Sequence, residues 1–250
     1  MRWRPAVLAA AVLLAWELVV RVLHVADYLV PAPSTVFSGM WTQREYLWQN
    51  IGPTAYEIWT GFALAVLIGL GLGLLVSLTR FGDEAVMPLL VATQSVPKTA
   101  LGPVFVVWFG YGSLPKVVMA GALAFFPIVV NLVRGLRAVE PEMVQYLVTL
   151  GASRLDVVWR LRLPAALPYL LSAMKVAISL ATVGAIVGEF LGASEGLGYV
   201  MLQASNSYDT STLFAALVVT SVIGVVSYSV ISLIERLTLG WQPAALASAA

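Results

Sequence analysis

Long apolar runs succeed one another through the chain, at about 5–23, 55–79, 86–109, 115–135, 167–191 and 212–235. A helix rising about 1.5 Å per residue needs roughly 20 apolar residues to cross a hydrocarbon core of about 30 Å, and each run is of that order. Of the 250 residues, 60% are hydrophobic and only 11% are charged, the proportions of a membrane protein. Such a chain has room for about five to seven crossings and none for a separate soluble domain. The expectation is an all-α integral membrane protein with about six transmembrane helices, residues 1–250 forming a single transmembrane domain.

The first run follows Arg2 and Arg4, as the apolar part of a secretory signal does. It outruns the roughly 7–15 residues of such a segment and contains Glu17, so a retained crossing is expected. From His24 to Pro53 the chain turns mixed and aromatic, with VPAPS at 30–34 and with Trp41, Tyr46 and Trp48. Amphipathic rings favour the membrane interface, which predicts an external segment holding a short surface helix. Arg2, Arg4, Arg80, Arg134, Arg137, Arg154, Arg160, Arg162 and Arg236 all fall on one side of the alternating crossings, whereas 192–211 contains no Lys or Arg. The positive-inside rule then puts both termini and the 136–165 loop in the cytoplasm.

Several chemistries are excluded or disfavoured early. A net charge of +1, from 14 basic and 13 acidic residues, gives no basic surface for nucleic acid. With no cysteine and one histidine there are no disulfides and no His/Cys metal cluster. A P-loop needs G-K-[ST], yet Lys98, Lys116 and Lys175 follow Pro97, Pro115 and Met174, so a nucleotide site of that design is absent. Residues 192–196, GASEG, match the G-x-S-x-G of serine hydrolases, but that motif needs a preceding strand and a histidine base. Here it follows a transmembrane run, and its glycines are expected to make a turn at the outer mouth.

The 139–164 loop carries unusually complete helix punctuation. Pro141 suits a first turn, Glu142 complements a helix N-terminus, and Gly151 can close a helix in the left-handed conformation, which predicts a helix over about 141–150. Ser153 and Asp156 form an S-x-x-D capping pattern and Pro164 is expected to end a second helix over about 154–162. Leu147, Val148, Leu155, Val158 and Trp159 give the pair an apolar surface, and Arg154, Arg160 and Arg162 a positive one. Two readings fit these residues: a unit lying on anionic headgroups, or one docking into a groove of a soluble partner.

Polar residues within the crossings suggest a path. Ser172, Lys175, Ser179, Thr182, Ile186 and Glu189 recur at helical spacing and form one stripe, while Ala173, Ala177, Ala181, Gly184, Gly188 and Gly192 lie nearly opposite. The small face permits close helix packing and the polar face is expected to be wet or hydrogen-bonded. Ionisable groups at this depth cost several kcal/mol unless paired or hydrated, so Lys175 and Glu189 either line a pathway or snorkel to the two interfaces. In QSVPKTALGP at 94–103, Pro97, Gly102 and Pro103 must break the helix, and a break is tolerated where it is buried in protein or lines a cavity. Gln94 and Lys98 lie at that break; Lys98 is suited to attract an anion, or to pair with Glu189 or a backbone carbonyl.

These stretches carry a family resemblance. Gln145-Tyr146-Leu147, three residues, Gly151, nine residues and Leu161-Arg162-Leu163-Pro164 are similar to the EAA signature of ABC importer permeases, E-A-A, x3, G, x9, I-x-L-P. The glycine and the Leu-Pro fall at the matching intervals, and all three residues of the E-A-A trio differ. VPKTALGPVFVVWFGYG at 96–112, AFFPIVVNLVRGLRAVEPE at 124–142 and GEFLGASEGLGYVM at 188–201 resemble the permeases of nitrate, sulfonate, taurine and thiamine-precursor importers. The likeness runs from about residue 50 to 236.

The resemblance implies a type I importer permease fold and a multi-pass protein of a prokaryotic inner or plasma membrane. It implies a second permease copy, two ATP-binding cassette subunits that hold the ATP and magnesium, an external substrate-binding protein, and no cofactor or catalytic residue on this chain. The loop would couple to the ATPase through Gln145, Tyr146, Leu147, Gly151, Ala152, Leu161, Leu163 and Pro164. Gln145 can keep a hydrogen bond but not the charge of the usual glutamate, and Tyr146 and Leu147 point to a more apolar contact. The path would comprise Gln94, Lys98, Lys175, Ser179, Thr182 and Glu189. The solute is expected to be small and polar or anionic, in the range of nitrate, sulfonates or taurine and pyrimidines. A secondary transporter or channel would share the hydrophobicity, but it would not require the Gly-x9-Leu-x-Leu-Pro hairpin.

Overall fold

The computed structural model describes residues 3–239, so Arg2 lies outside it. It is helical, with no strand among the described residues. Helix α1 spans Arg4–Val22, α2 Pro33–Thr42 and α3 Arg44–Leu78. A π-helical turn, Gly82–Val86, leads into α4 (Met87–Ala92), and after a break comes α5 (Gly102–Phe109). Helix α6 covers Leu114–Arg137, α7 Pro141–Thr149, α8 Arg154–Val157, α9 Leu163–Glu189, α10 Leu197–Asn206 and α11 Thr210–Thr238.

Four helical stretches among the described residues are long and apolar enough to cross a membrane: 44–78, 114–137, 154–189 and 210–238. Residues 82–95 and 98–109 are apolar enough together but bent by 84°, the geometry of a broken span or a re-entrant loop, which makes up to five. Helix α1, 19 residues long, stands where the first crossing is expected but is not among these spans. Its Glu17 accepts from the Ser34 amide at 3.0 Å and the Ser34 hydroxyl at 2.8 Å, capping the start of α2, and pairs with Arg21 at 2.6 Å. The expected external surface helix is α2, and α3 starts well before its apolar run, at Arg44.

Helix α6 runs through the middle, with α3 on one side and α9 on the other. Small side chains let the three backbones approach. Ala120 and Ala124 of α6 and Ala177, Ala181 and Ala185 of α9 are fully buried, and a Cβ at Gly184 would lie 2.6 Å from the Ala120 Cα. Membrane helices associate through this kind of close packing because lipid tails offer no hydrophobic reward for burial. Ile58, Phe62, Ile128, Ile178 and Ile231 complete the core, while large apolar residues such as Leu8, Leu67, Val183 and Leu233 stay exposed on the outer faces.

One boundary departs from expectation. Pro164 does not end a second short helix at 162; the helix runs on from Arg154 to Glu189. The joint is a second π-helical turn, Val158–Arg162, in which Leu163 donates back to the Val158 carbonyl. This wider turn displaces the carbonyls that the proline ring would otherwise meet, and Pro164 then sits in the first turn of α9, where its fixed φ suits. The hairpin at 141–162 is therefore welded to a membrane-length rod.

Candidate functional site

The hairpin is built almost wholly from contacts between near neighbours in sequence. Gly151 takes φ +84°, its amide donates to the Val148 carbonyl at 2.9 Å, and the Ala152 amide reaches the Leu147 carbonyl at 3.0 Å, which together close α7 in a Schellman motif. At the next helix start the Asp156 amide donates to the Ser153 hydroxyl oxygen and the Ser153 amide to the Asp156 carboxylate, each at 3.1 Å, the expected capping box. Asp156 also pairs with Arg160 at 3.2 Å.

Around this frame the side chains are left open. No residue of α7 is buried. Met143, Tyr146, Val148, Leu150, Leu155 and Trp159 are all more than half exposed, beside the exposed Arg154 and Arg160. Of the residues the motif singles out, Gln145, Tyr146 and Gly151 are exposed, and Leu147, Ala152, Leu161, Leu163 and Pro164 are half-buried. Leu163 packs against Leu132, Leu136 and Ala166, so the joint of the hairpin is seated on the α6–α9 core while its tip stands free.

At the break, Gln94 and Lys98 face each other across the bend, the ammonium donating to the Gln94 side-chain oxygen Oε1 at 2.5 Å. The same ammonium lies 5.5 Å from the Phe125 ring centre and 5.7 Å from that of Phe126, within cation–π range. The alternative of pairing with Glu189 is not taken up.

The polar stripe of α9 is divided rather than wet along its length. Lys175 pairs with Glu235 of α11 at 2.8 Å instead of snorkelling. Ser179 and Thr182 donate to carbonyls of their own helix, those of Lys175 and Ile178, at 3.2 and 3.0 Å. Glu189 is completely buried, and the exposed line on α9 runs through Val176, Ser179, Val183 and Phe190. The cause is packing: α3, α6, α10 and α11 all lie on α9 and cover most of its circumference. The opposite, small face is buried from Ala173 to Gly188 as its residues predict, whereas Gly192 lies beyond α9 in an exposed turn.

Glu189 belongs instead to a buried polar cluster at the end of the bundle opposite the hairpin. One carboxylate oxygen accepts from the Thr54 hydroxyl at 2.6 Å and the other from the Gly198 amide. The Leu197 amide donates to the Thr54 oxygen and the Gly196 amide to the Asn50 side-chain oxygen, both at 2.8 Å. Alongside, Lys116 of α6 pairs with Glu57 of α3 at 2.6 Å, with side chains only 5% and 1% exposed. Asn50, Thr54, Glu57 and Lys116 escape a reading centred on α9. The available signal is the spacing of Asn50, Thr54, Glu57 and Gly61, a polar and small stripe on the entrance to an otherwise apolar helix. GASEG makes the expected turn, with φ +133° at Gly192 and +108° at Gly196. The lone histidine, His24, lies between α1 and α2 with Nδ1 3.1 Å from the Val22 carbonyl oxygen.

Comparison with known proteins converges on one family. The model of the binding-protein-dependent transport system inner membrane component matches residues 61–239. A probable ABC transporter permease protein of Haemophilus influenzae is 36% identical over 216 residues, 86% of this chain and 88% of that protein. The formylaminopyrimidine transport permease protein ThiX of Halalkalibacterium halodurans is 34% identical over 239 residues, 95% of each chain. Among solved structures, a chain of the MetNI methionine ABC transporter, in an inward-facing form, superposes with a TM-score of 0.65 at 21% identity, over 80% of this chain and 97% of that one. This likeness concerns the fold.

Proposed function

Since the chain belongs to the family of binding-protein-dependent transport system inner membrane components and is an ABC importer permease subunit, we propose that it carries a small polar or anionic solute inward, driven by ATP hydrolysis on a separate subunit. Two copies enclose the path, two ATPase subunits hold ATP and magnesium, and an external binding protein delivers the solute. The chain lies in the inner or plasma membrane of a prokaryote with both termini and the hairpin in the cytoplasm, which agrees with arginines gathered at the hairpin end.

The observation that carries this reading is the hairpin: an exposed apolar and cationic tip on a rigid frame, continuous with a helix that reaches the far end of the bundle. A push on Tyr146, Leu147 or Trp159 is passed through the π-helical turn at Leu161 and the first residues of α9, Leu163 and Pro164, rather than lost in a flexible loop. Gly151 and Ala152 fix the angle between the two arms. In the path, Gln94 and Lys98 carry the reading, because they sit at a helix break with an ammonium that makes one hydrogen bond among the described residues. Ser179 lines the open face of α9, and Thr182, Lys175 and Glu189 support it through the bonds above.

A single positive charge among phenylalanine rings suits a solute with an anionic or electron-rich polar group. The relative named for formylaminopyrimidine keeps pyrimidines within that range alongside nitrate and sulfonates.

Gly151→Leu tests the docking assignment. A bulky residue at φ +84° costs about 1–2 kcal/mol of backbone strain, enough to re-aim the tip without touching the membrane core. Co-purification with the ATPase and coupled solute uptake should both fall while the variant still inserts. Normal assembly and normal coupled transport would show that the hairpin is not the docking element.

A further inference from the structure

Three successive backbone N–H groups, those of Gly196, Leu197 and Gly198, are each taken by a different buried side chain: Asn50, Thr54 and Glu189. The first amides of any helix lack intrahelical partners, and water or a local side chain usually satisfies them. At the start of α10 the acceptors come instead from α3, more than 140 positions away, and from the end of α9. All three are at least nine-tenths buried. Glycine is required where the carboxylate closes over the turn: a Cβ at Gly198 would lie 2.7 Å from a Glu189 oxygen. Behind them the Lys116–Glu57 pair pins the same part of α3 to α6. Lys116 also walls a crevice of about 340 Å³ opening between Tyr111–Ser113 and Gly192–Glu195. The turn that bounds this crevice is thus tied to the core through its own backbone.

We propose that Asn50, Thr54 and Glu189 form a latch that holds the outer turn and α10 on the α3–α6–α9 core while the outer mouth is closed and lets go when it opens, which makes them positioning residues for the outer gate. The proposal rests on the permease reading, since only a path that opens to each side in turn gives the latch something to hold. Side chains that reach across helices to backbone amides suit this role: they satisfy one arrangement strongly and are exposed to water in the other.

The chain has no cysteine, so one introduced thiol reports without background. Ala204→Cys places it on the side of α10 that is 5% exposed. In the assembled complex with its ATPase, labelling by a water-soluble maleimide should differ at least about tenfold between the nucleotide-free state and the state trapped with ATP and vanadate, the order expected when one buried polar group loses its partner. Glu189→Ala and Gly198→Ala should each raise the slow rate to the fast one while the ATPase still co-purifies. Equal rates in the two states with the latch intact, or a slow rate that persists in Glu189→Ala, would overturn the proposal. Should Glu189→Ala not accumulate, Thr54→Val removes the hydroxyl at nearly constant shape and carries the same readout. If the chain with an intact latch retains no ATPase, the permease reading fails and the latch with it.

Discussion

The two ends of this bundle are made in opposite ways. At the hairpin, every fixing hydrogen bond joins residues within five positions of each other, and the apolar side chains Met143, Tyr146, Val148, Leu150, Leu155 and Trp159 stay exposed. At the far end, the fixing bonds join residues up to 146 positions apart, and the side chains that make them, Asn50, Thr54 and Glu189 with the Lys116–Glu57 pair beside them, are buried. A surface that must grip another molecule keeps its frame local and its side chains free. A surface that must hold its own helices together spends its polar groups internally. The sharpest way to break this comparison is to perturb each end and ask whether the damage goes to stability or to assembly.

The largest loss of stability is expected from Lys116→Met. It leaves the Glu57 carboxyl buried without its partner, and removing one member of a buried pair costs about 3–5 kcal/mol. Thermal unfolding of the purified chain in detergent should show a large drop in Tm. Adding Glu57→Met should restore most of it, because two apolar side chains of similar volume replace the pair without an orphaned charge. A single variant as stable as the parent would mean that the pair is not buried as described and that the two ends do not differ in this way.

An intermediate effect belongs to the hairpin frame. Ser153→Ala removes the hydroxyl of the capping box, and such losses cost about 1 kcal/mol. Because the bond is local, the cost should appear as fraying of the hairpin and not as loss of the bundle. Backbone amides of 153–157 should exchange hydrogen faster while those of α6 and α9 keep their protection. Equal loosening in α6 would show that the hairpin is energetically part of the core.

The same contrast sets what was legible in the sequence. Gly151, Ser153 and Asp156 announce their hydrogen bonds because donor and acceptor lie in one short window, and the structure places each bond where the spacing predicts. The crossings were legible for a similar reason, since length and hydropathy are properties of a segment. Glu189 was not, because its stripe on α9 is compatible with a wet face until Thr54 and the amides of 196–198 are brought beside it. Lys175 needed Glu235, 60 positions later, for the same reason. Pro164 misled in another manner: a proline rule assumes α-helical geometry on both sides, and the π-helical turn at 158–162 removes that assumption.

The smallest expected change in stability lies at the hairpin tip, where the comparison predicts the largest change in assembly. Tyr146 is 65% exposed and its side chain makes no hydrogen bond or ring contact among the described residues, so Tyr146→Ala should leave Tm nearly unchanged, within about 0.5 kcal/mol. If the tip grips the ATPase, the same substitution removes an aromatic anchor, a residue type whose truncation at an interface centre typically costs about 2 kcal/mol or more of binding. Co-purified ATPase should then fall steeply while the permease itself is recovered in full. The converse result, a lower Tm with the ATPase still bound, would place Tyr146 in the structural class with Lys116, and the division between a locally framed docking end and an internally bonded far end would no longer hold.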